Sequence, residues 1–295
     1  MSQPLNTSTD SSGKINVSVF KEISDFGPEH KISVDVDDPE MVCIGGGGEG
    51  AEQPNGALLT ASCPNDTAFK GWKAATKEHI VPCQHQAKVY AIGMKIEGFS
   101  RDELLQNVKL FTFNSTPAHA PGGTVSLDEE YSLLGGGFEV NYNPGKGNLA
   151  TGSFPVDSST WEANSKDMEI PDSCSITVFV IGIKTQLTKR DNTGVDKPTG
   201  QIIITKFKSV DSSQAAHPSS SAEVPPGYVL CGGGGEVFYT NGKGNYLWSL
   251  EPPLNQNPAP QVFTARSKDH ERADPSIITT SAVGIKMLYE GQAPP

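Results

Sequence analysis

The sequence predicts an all-β protein made of three copies of one unit, and three observations predict it. First, a Gly run that ends on Glu recurs as Gly45-Gly46-Gly47-Gly48-Glu49, Gly135-Gly136-Gly137-Phe138-Glu139 and Gly232-Gly233-Gly234-Gly235-Glu236. Second, each run opens a segment that closes on Gly93-Met94-Lys95, Gly182-Ile183-Lys184 or Gly284-Ile285-Lys286. Between run and close stands Thr76-Lys77-Glu78-His79, Ser165-Lys166-Asp167-Met168 or Ser267-Lys268-Asp269-His270, always in the same order. Ordered self-similarity of this kind is the signature of a repeat architecture. Third, 31 Gly and 22 Pro beside only 36% hydrophobic residues suit many short strands joined by tight turns rather than long helices.

The elements follow in chain order. Residues 1–13 are rich in Ser, Thr, Asn and Asp and carry neither a basic nor an apolar stretch, so they read as a disordered tail without a classical export signal. That reading puts the protein in the cytoplasm, or outside the cell by a route that needs no such signal. Residues 14–291 then form a single domain, with repeat one at about 31–113, repeat two at about 122–208 and repeat three at about 221–291.

The second repeat shows the strand pattern best, in Thr124–Leu127, Tyr131–Leu134, Phe138–Tyr142, Leu149–Ser153, Thr160–Ala163 and Ser175–Ile181. Gly- and Asn-bearing stretches at 143–148 and 240–245, and a variant at 52–56, predict hairpin loops. Ser100 followed by Asp102 and Glu103 predicts one short capped helix over 100–106. The polar insertions at 187–200 and 211–222 read as surface loops.

After the first two Gly-x-Lys ends the chain adds a strand, Val108–Phe113 and Ile202–Phe207, whereas the third repeat adds none. A matching strand, Ile15–Phe20, stands at the other end of the chain. The sequence therefore predicts a closed pseudo-three-fold β-prism in which this N-terminal strand completes the third repeat and no sheet edge is left unpaired. A β-trefoil is the alternative, although its repeats would carry fewer strands.

Charge and cysteine usage narrow the partners. A formal net charge of -11 argues against nucleic acid or anionic lipid as the main partner, because both demand clustered Lys and Arg. No apolar run reaches the length of a membrane span, so membrane contact is expected only through surface binding or refolding. Five cysteines at positions mostly not shared between repeats make a poor disulfide framework and lack zinc spacing. Reduced thiols are expected, with Cys63–Cys83 the one pairing to check.

Several residues are candidates for a site. Glu49, Glu139 and Glu236 hold one fixed position in the repeat, and triplicated carboxylates either meet a cationic ligand or pair with lysines, here Lys77, Lys166 and Lys268 or Lys95, Lys184 and Lys286. His79, Asp269 and His270 offer acid–base groups, but Met168 breaks the set, so no metal is expected and turn capping by Asp or Glu is the ordinary alternative. Trp248, Tyr239 and Tyr246 cluster around the third hairpin without a full set of copies, and aromatic faces of this kind stack on sugars. Trp72 and Trp161 are equivalent to one another and read as core. The Gly runs read as packing devices that let another backbone approach closely, with backbone nests for an anion or a sugar hydroxyl as the alternative; no Lys-Ser/Thr or helix start follows them, so they are not a P-loop.

The phrase formed by the Gly run, the Gly-Asn hairpin, the Trp strand, Ser-Lys-Asp-His and Ile-Gly-Ile-Lys resembles a Gly-rich repeat of bacterial proteins found beside toxin or hydrolase domains. Its three-fold layout is also similar to the β-prism lectins of the jacalin type and to the β-prism modules of perforin-like toxins. The units are longer than jacalin repeats and carry no copy of the lectin's Gly-x-x-x-Asp loop, so no sugar-binding residue is transferred. What the resemblance implies is recognition of a glycan or cell-surface ligand rather than catalysis, with no cofactor. A toxin-like membrane module and a small-molecule enzyme with a central cavity are the alternatives.

Overall fold

Short apolar stretches broken by Gly, Pro and Asn form antiparallel strands throughout the computed structural model, which describes residues 4–53, 56–145, 147–239, 244–253 and 261–289. In chain order these are β1 (Asn6–Thr9), β2 (Ile15–Ile23), β3 (Glu29–Asp35), β4 (Val42–Glu49), β5 (Leu58–Pro64), β6 (Gly71–Lys77) and β7 (Lys88–Ile96). After helix α1 (Arg101–Leu105) come β8 (Val108–Asn114), β9 (Gly122–Ser126), β10 (Tyr131–Asn141), β11 (Asn148–Pro155), β12 (Thr160–Asp167) and β13 (Ser175–Lys184). The last group is β14 (Gln186–Arg190), β15 (Asp196–Asp211), β16 (Ser219–Glu223), β17 (Val229–Phe238), β18 (Asn245–Glu251), β19 (Val262–Asp269) and β20 (Ile277–Tyr289). The protein is all-β with curled antiparallel sheets. The expected helix is there, closed by a capping box in which Ser100 and Glu103 bond each other's backbone amides.

Each unit divides its strands between two sheets. The Gly-run strand pairs with the unit's last strand, which pairs on its other side with a flanking strand, in the orders β2-β7-β4, β8-β13-β10 and β15-β20-β17. The remaining strands form β3-β6-β5, β9-β12-β11 and β16-β19-β18. Short ladders then join each Gly-run strand to the second sheet of another unit: Glu49 and Gly48 to Ser249 and Leu250, Glu139 and Phe138 to Ala61 and Ser62, Glu236 and Gly235 to Gly152 and Ser153. Unit one is thus joined to unit three, unit three to unit two, and unit two to unit one. Each of the three sheets formed by the described residues belongs to two units.

The flanking strand corrects an expectation. The N-terminal strand does not complete the third repeat; β2 pairs along its length with β7 of unit one, with Val17 opposite Met94. Strands β8 and β15 likewise pair with β13 and β20, so every unit begins with its flanking strand and unit three already has one. The third unit needed no loan. The N-terminal segment still touches unit three, because the Asp10 carboxylate accepts hydrogen bonds from both the Ile15 and the Met287 amides.

Three smaller readings also change. The tail expected to be disordered holds β1, which pairs with β2. The insertion expected as a loop at 187–200 overlaps the β14–β15 hairpin, and that at 211–222 runs into β16. The hairpin loops at 52–56, 143–148 and 240–245 lie partly outside the described residues, as does Gly291. All five cysteines are free and buried, so Cys63 and Cys83 are not bridged, and burial pushes the Cys43 thiol up to about 12.

The Gly runs are explained by what lies against them. A side chain on Gly135 would begin 2.9 Å from the Ile44 carbonyl and 3.4 Å from the Cα of Gly45, and one on Gly232 would begin 2.9 Å from the Cα of Gly135. The first glycine of each run therefore packs on the others where the three units meet. The second lies under an aromatic of its own unit, Trp72 on Gly46, Trp161 on Gly136 and Phe263 on Gly233. The third faces the backbone of the unit it is joined to, at Leu250, Ser62 and Ser153. A Cβ at these places has no room. Among the described residues, no helix is long and apolar enough to cross a membrane.

Candidate functional site

The Glu after each Gly run stands at a unit junction, half-buried on its strand. Glu139 on β10 reaches across to unit one, where Lys73 Nζ of β6 lies 2.7 Å and Lys31 Nζ of β3 3.3 Å from its two oxygens. Burial works to raise its carboxyl, but the two lysines outweigh that and hold it below the ordinary value. Glu49 pairs with Lys88 at 2.5 Å and accepts from the Tyr90 hydroxyl at 3.1 Å. Glu236 meets carboxylates instead: burial, then Glu162 and Asp211, push it up to about 7. None of the lysines expected from the repeat pattern makes these ion pairs.

Beside Glu139 the junction of units one and two opens into a pocket of about 400 Å³. Glu139 and Tyr142 of β10 and the following turn form one wall, Thr60 of β5 another, and Glu29, His30 and Lys31 of β3 the rim. Thr60 is the extra residue of a β-bulge, since Leu59 pairs with Thr76 and Ala61 with Ala75. The bulge turns its hydroxyl inward, where it is buried without a hydrogen-bond partner. Tyr142 is held by Lys77, whose Nζ lies 4.1 Å from the ring centre. Such a pocket offers an aromatic face, carboxylate acceptors, a lysine donor and a hydroxyl able to do both, the set that a polyhydroxylated ligand needs.

The other junctions repeat the bulge, one with threonine again and one with tryptophan. Thr151 occupies it on β11 and Trp248 on β18. Trp248 is only 9% exposed and clusters with Leu58, Leu149, Met168 and Tyr246, with the Arg266 guanidinium 5.8 Å from its ring. Arg266 in turn bonds Ser249 and Glu251. Tyr246 is fully buried, its hydroxyl 3.4 Å from the Asp167 carbonyl, while Tyr239 is half-buried near Lys166. The buried Trp248 and Tyr246 present no open face to a sugar.

The middle landmark is structural in the same way. His79 Nε2 donates to the Met168 carbonyl at 2.8 Å and His270 Nε2 to the His79 carbonyl at 2.6 Å, which links the three units through buried rings. Burial lowers His79 from its ordinary value. Each landmark ends in a tight turn whose central residue, Ile80, Glu169 or Glu271, has positive φ. The preceding acid secures it: Glu78 accepts from the Cys83 amide, Asp167 from Asp172 and Asp269 from Asp274. Among the described residues no group of three His, Cys, Asp or Glu side chains is placed to hold a metal ion.

The structure thus brings Glu139 to an open pocket, leaves Glu49 in an ion pair, Glu236 among carboxylates and Tyr239 half-buried near Lys166, and places the remaining candidates in turns or the interior. Sequence reading missed Thr60, His30 and Lys31. The available signal was the Thr-x-Ser pair in Thr60-Ala61-Ser62 and Thr151-Gly152-Ser153, whose serines accept from Trp72 and Trp161. No family model matches the chain, and no curated protein matches it.

Proposed function

We propose that this chain is a β-prism-like recognition module that binds a neutral glycan in the pocket between units one and two. The observation that carries the reading is the Thr60 hydroxyl, buried without a partner beside an open cavity walled by Glu139 and Tyr142. A buried hydroxyl left unsatisfied costs about 1–3 kcal/mol, and a ligand that bonds it recovers that cost. The pocket volume suits one or two sugar rings, and Tyr142 supplies the face on which a ring stacks. The cyclic joining of the units favours a closed prism over a trefoil, in which the sheets would be smaller.

A glycan array with the full chain, followed by calorimetry on the best ligand, tests this. Thr60→Val keeps the side-chain shape and removes the hydroxyl, so it is expected to weaken binding about tenfold while leaving the fold as stable or more so. Failure of the parent chain to bind any glycan, or a variant that binds as well as the parent, rejects the reading.

A further inference from the structure

A second cavity, of about 460 Å³, lies in unit three, away from the junction pocket, against Val224, Pro225, Pro226 and Tyr228 with Lys208 and Glu223 at its edge. Its origin is visible on comparing the three units. Just before each Gly run the chain makes the same turn, in which the Met41, Tyr131 and Tyr228 amides donate to the carbonyls of Asp38, Asp128 and Pro225. In the first two units the turn's aspartate binds a lysine: Lys95 Nζ lies 3.0 Å from Asp38 and Lys109 Nζ 2.7 Å from Asp128. In unit three proline takes the aspartate's place, and no carboxylate is supplied from that position.

The lysine positions are nevertheless both retained. Lys206 stands opposite Gly284 on β15 as Lys109 stands opposite Gly182 on β8, and Lys286 follows Gly284 as Lys95 follows Gly93. Their Nζ atoms lie 5.7 and 6.0 Å from the centre of the Tyr228 ring. Lys286 Nζ is also 3.9 Å from the point where a side chain on Gly227 would begin. Tyr228 itself is 5% exposed, and its hydroxyl is buried without a hydrogen-bond partner.

We propose that this cavity binds a small organic carboxylate whose charged end takes the place of the missing aspartate. The carboxylate accepts a hydrogen bond from the Tyr228 hydroxyl and faces Lys286, while Val224, Pro225 and Pro226 cover a compact apolar body. Glu223 at the edge opposes a second negative charge, so a monoanion is preferred to phosphate.

Nuclear magnetic resonance titration of the full chain with benzoate, acetate and phosphate tests the assignment. Benzoate is expected to give saturable shifts around Tyr228, with acetate weaker and phosphate weakest. Tyr228→Phe should weaken benzoate about tenfold, the effect of losing one hydrogen bond to a charged group. Pro225→Asp, which installs the residue that unit two carries and folds there, should abolish binding by filling the site with the protein's own carboxylate. Absence of saturable benzoate shifts overturns the proposal, as does undiminished binding by Pro225→Asp or by Tyr228→Phe. Phosphate binding as tightly as benzoate overturns the preference for a carboxylate.

Discussion

Gly45 and Gly232 face each other so closely that a methyl group on Gly45 would lie 3.3 Å from the Gly232 Cα, and nearer still to the Cys231 carbonyl. Backbone sits on both sides, so nothing flexible can yield. Gly45→Ala is therefore expected to destabilise the fold by about 3 kcal/mol or more, at or beyond the upper end of ordinary overpacking. Gly145→Ala is a control for the loss of glycine alone: its φ of 72 is unfavourable for alanine, but no atom lies within 4 Å of the added methyl. Thermal melts of the two variants check this. A Gly45→Ala melt no lower than that of Gly145→Ala would mean that the three units do not meet as tightly as described.

The repeat itself was legible because its glycines, aromatics and lysines answer to packing that recurs in each unit. Where one unit ends was not legible, since β2, β8 and β15 look alike whether they close the preceding unit or open the next. Only pairing decides, and Val17 opposite Met94 decides it. Local sequence was equally silent on the sharing of sheets between units, which depends on ladders as short as Glu139–Ala61. Of the site, Glu139 could be read from its fixed place. Trp248 and Tyr246 could not be placed from sequence because a residue without copies looks functional there, whereas in the structure both pack with Leu58, Leu149 and Met168 in the interior.

Glu236 is the junction carboxylate that lacks a lysine, and stability should depend on its protonation. Its folded value of about 7 lies above the ordinary 4.5, set by burial first and then by Glu162 and Asp211. The native state thus holds a proton that the unfolded chain has released between those values. Its contribution is full below pH 4.5 and is lost as pH rises through 7. Glu236→Gln is expected to raise stability at pH 8 by up to about 1 kcal/mol, screened by partial exposure, with little gain at pH 4.5. Urea unfolding of parent and variant at the two pH values checks it; an equal gain at both would point to a cause other than ionisation.

Lys268 gives a pH dependence of the opposite sense. It is 2% exposed, its ammonium 3.0 Å from the Glu52 carbonyl, and burial lowers it from 10.5 to about 8. Between those values the unfolded chain binds the proton more tightly, so stability should rise with pH from 8 upward, by on the order of 3 kcal/mol if the rise were completed. Buried Tyr246, held protonated by burial and then by Asp167, works against the gain once ordinary phenols ionise. The window for measurement is therefore pH 8 to 10. In Lys268→Met the rise across this window should shrink, and an unchanged slope would assign it to other groups.

The same bulge holds Thr60 in one junction and Trp248 in another, and this sets the number of binding sites. An indole fills the third–first junction from the position that in the first–second junction leaves room for a ligand. The second–third junction carries Thr151 in the bulge, but its Glu236 meets Glu162 and Asp211 rather than lysines and lacks the pocket's donor set, so one glycan site per chain follows, not three. Thr60→Trp should copy the filled junction: glycan binding falls at least about a hundredfold, while stability changes by no more than the roughly 1–3 kcal/mol of a strained insertion. Trp248→Thr should do the reverse, costing about 3–5 kcal/mol for the emptied volume and adding a second site. Calorimetric stoichiometry separates the outcomes. A parent chain that already binds three glycans, or a Thr60→Trp variant that binds as well as the parent, would show that the indole is not what closes the junction.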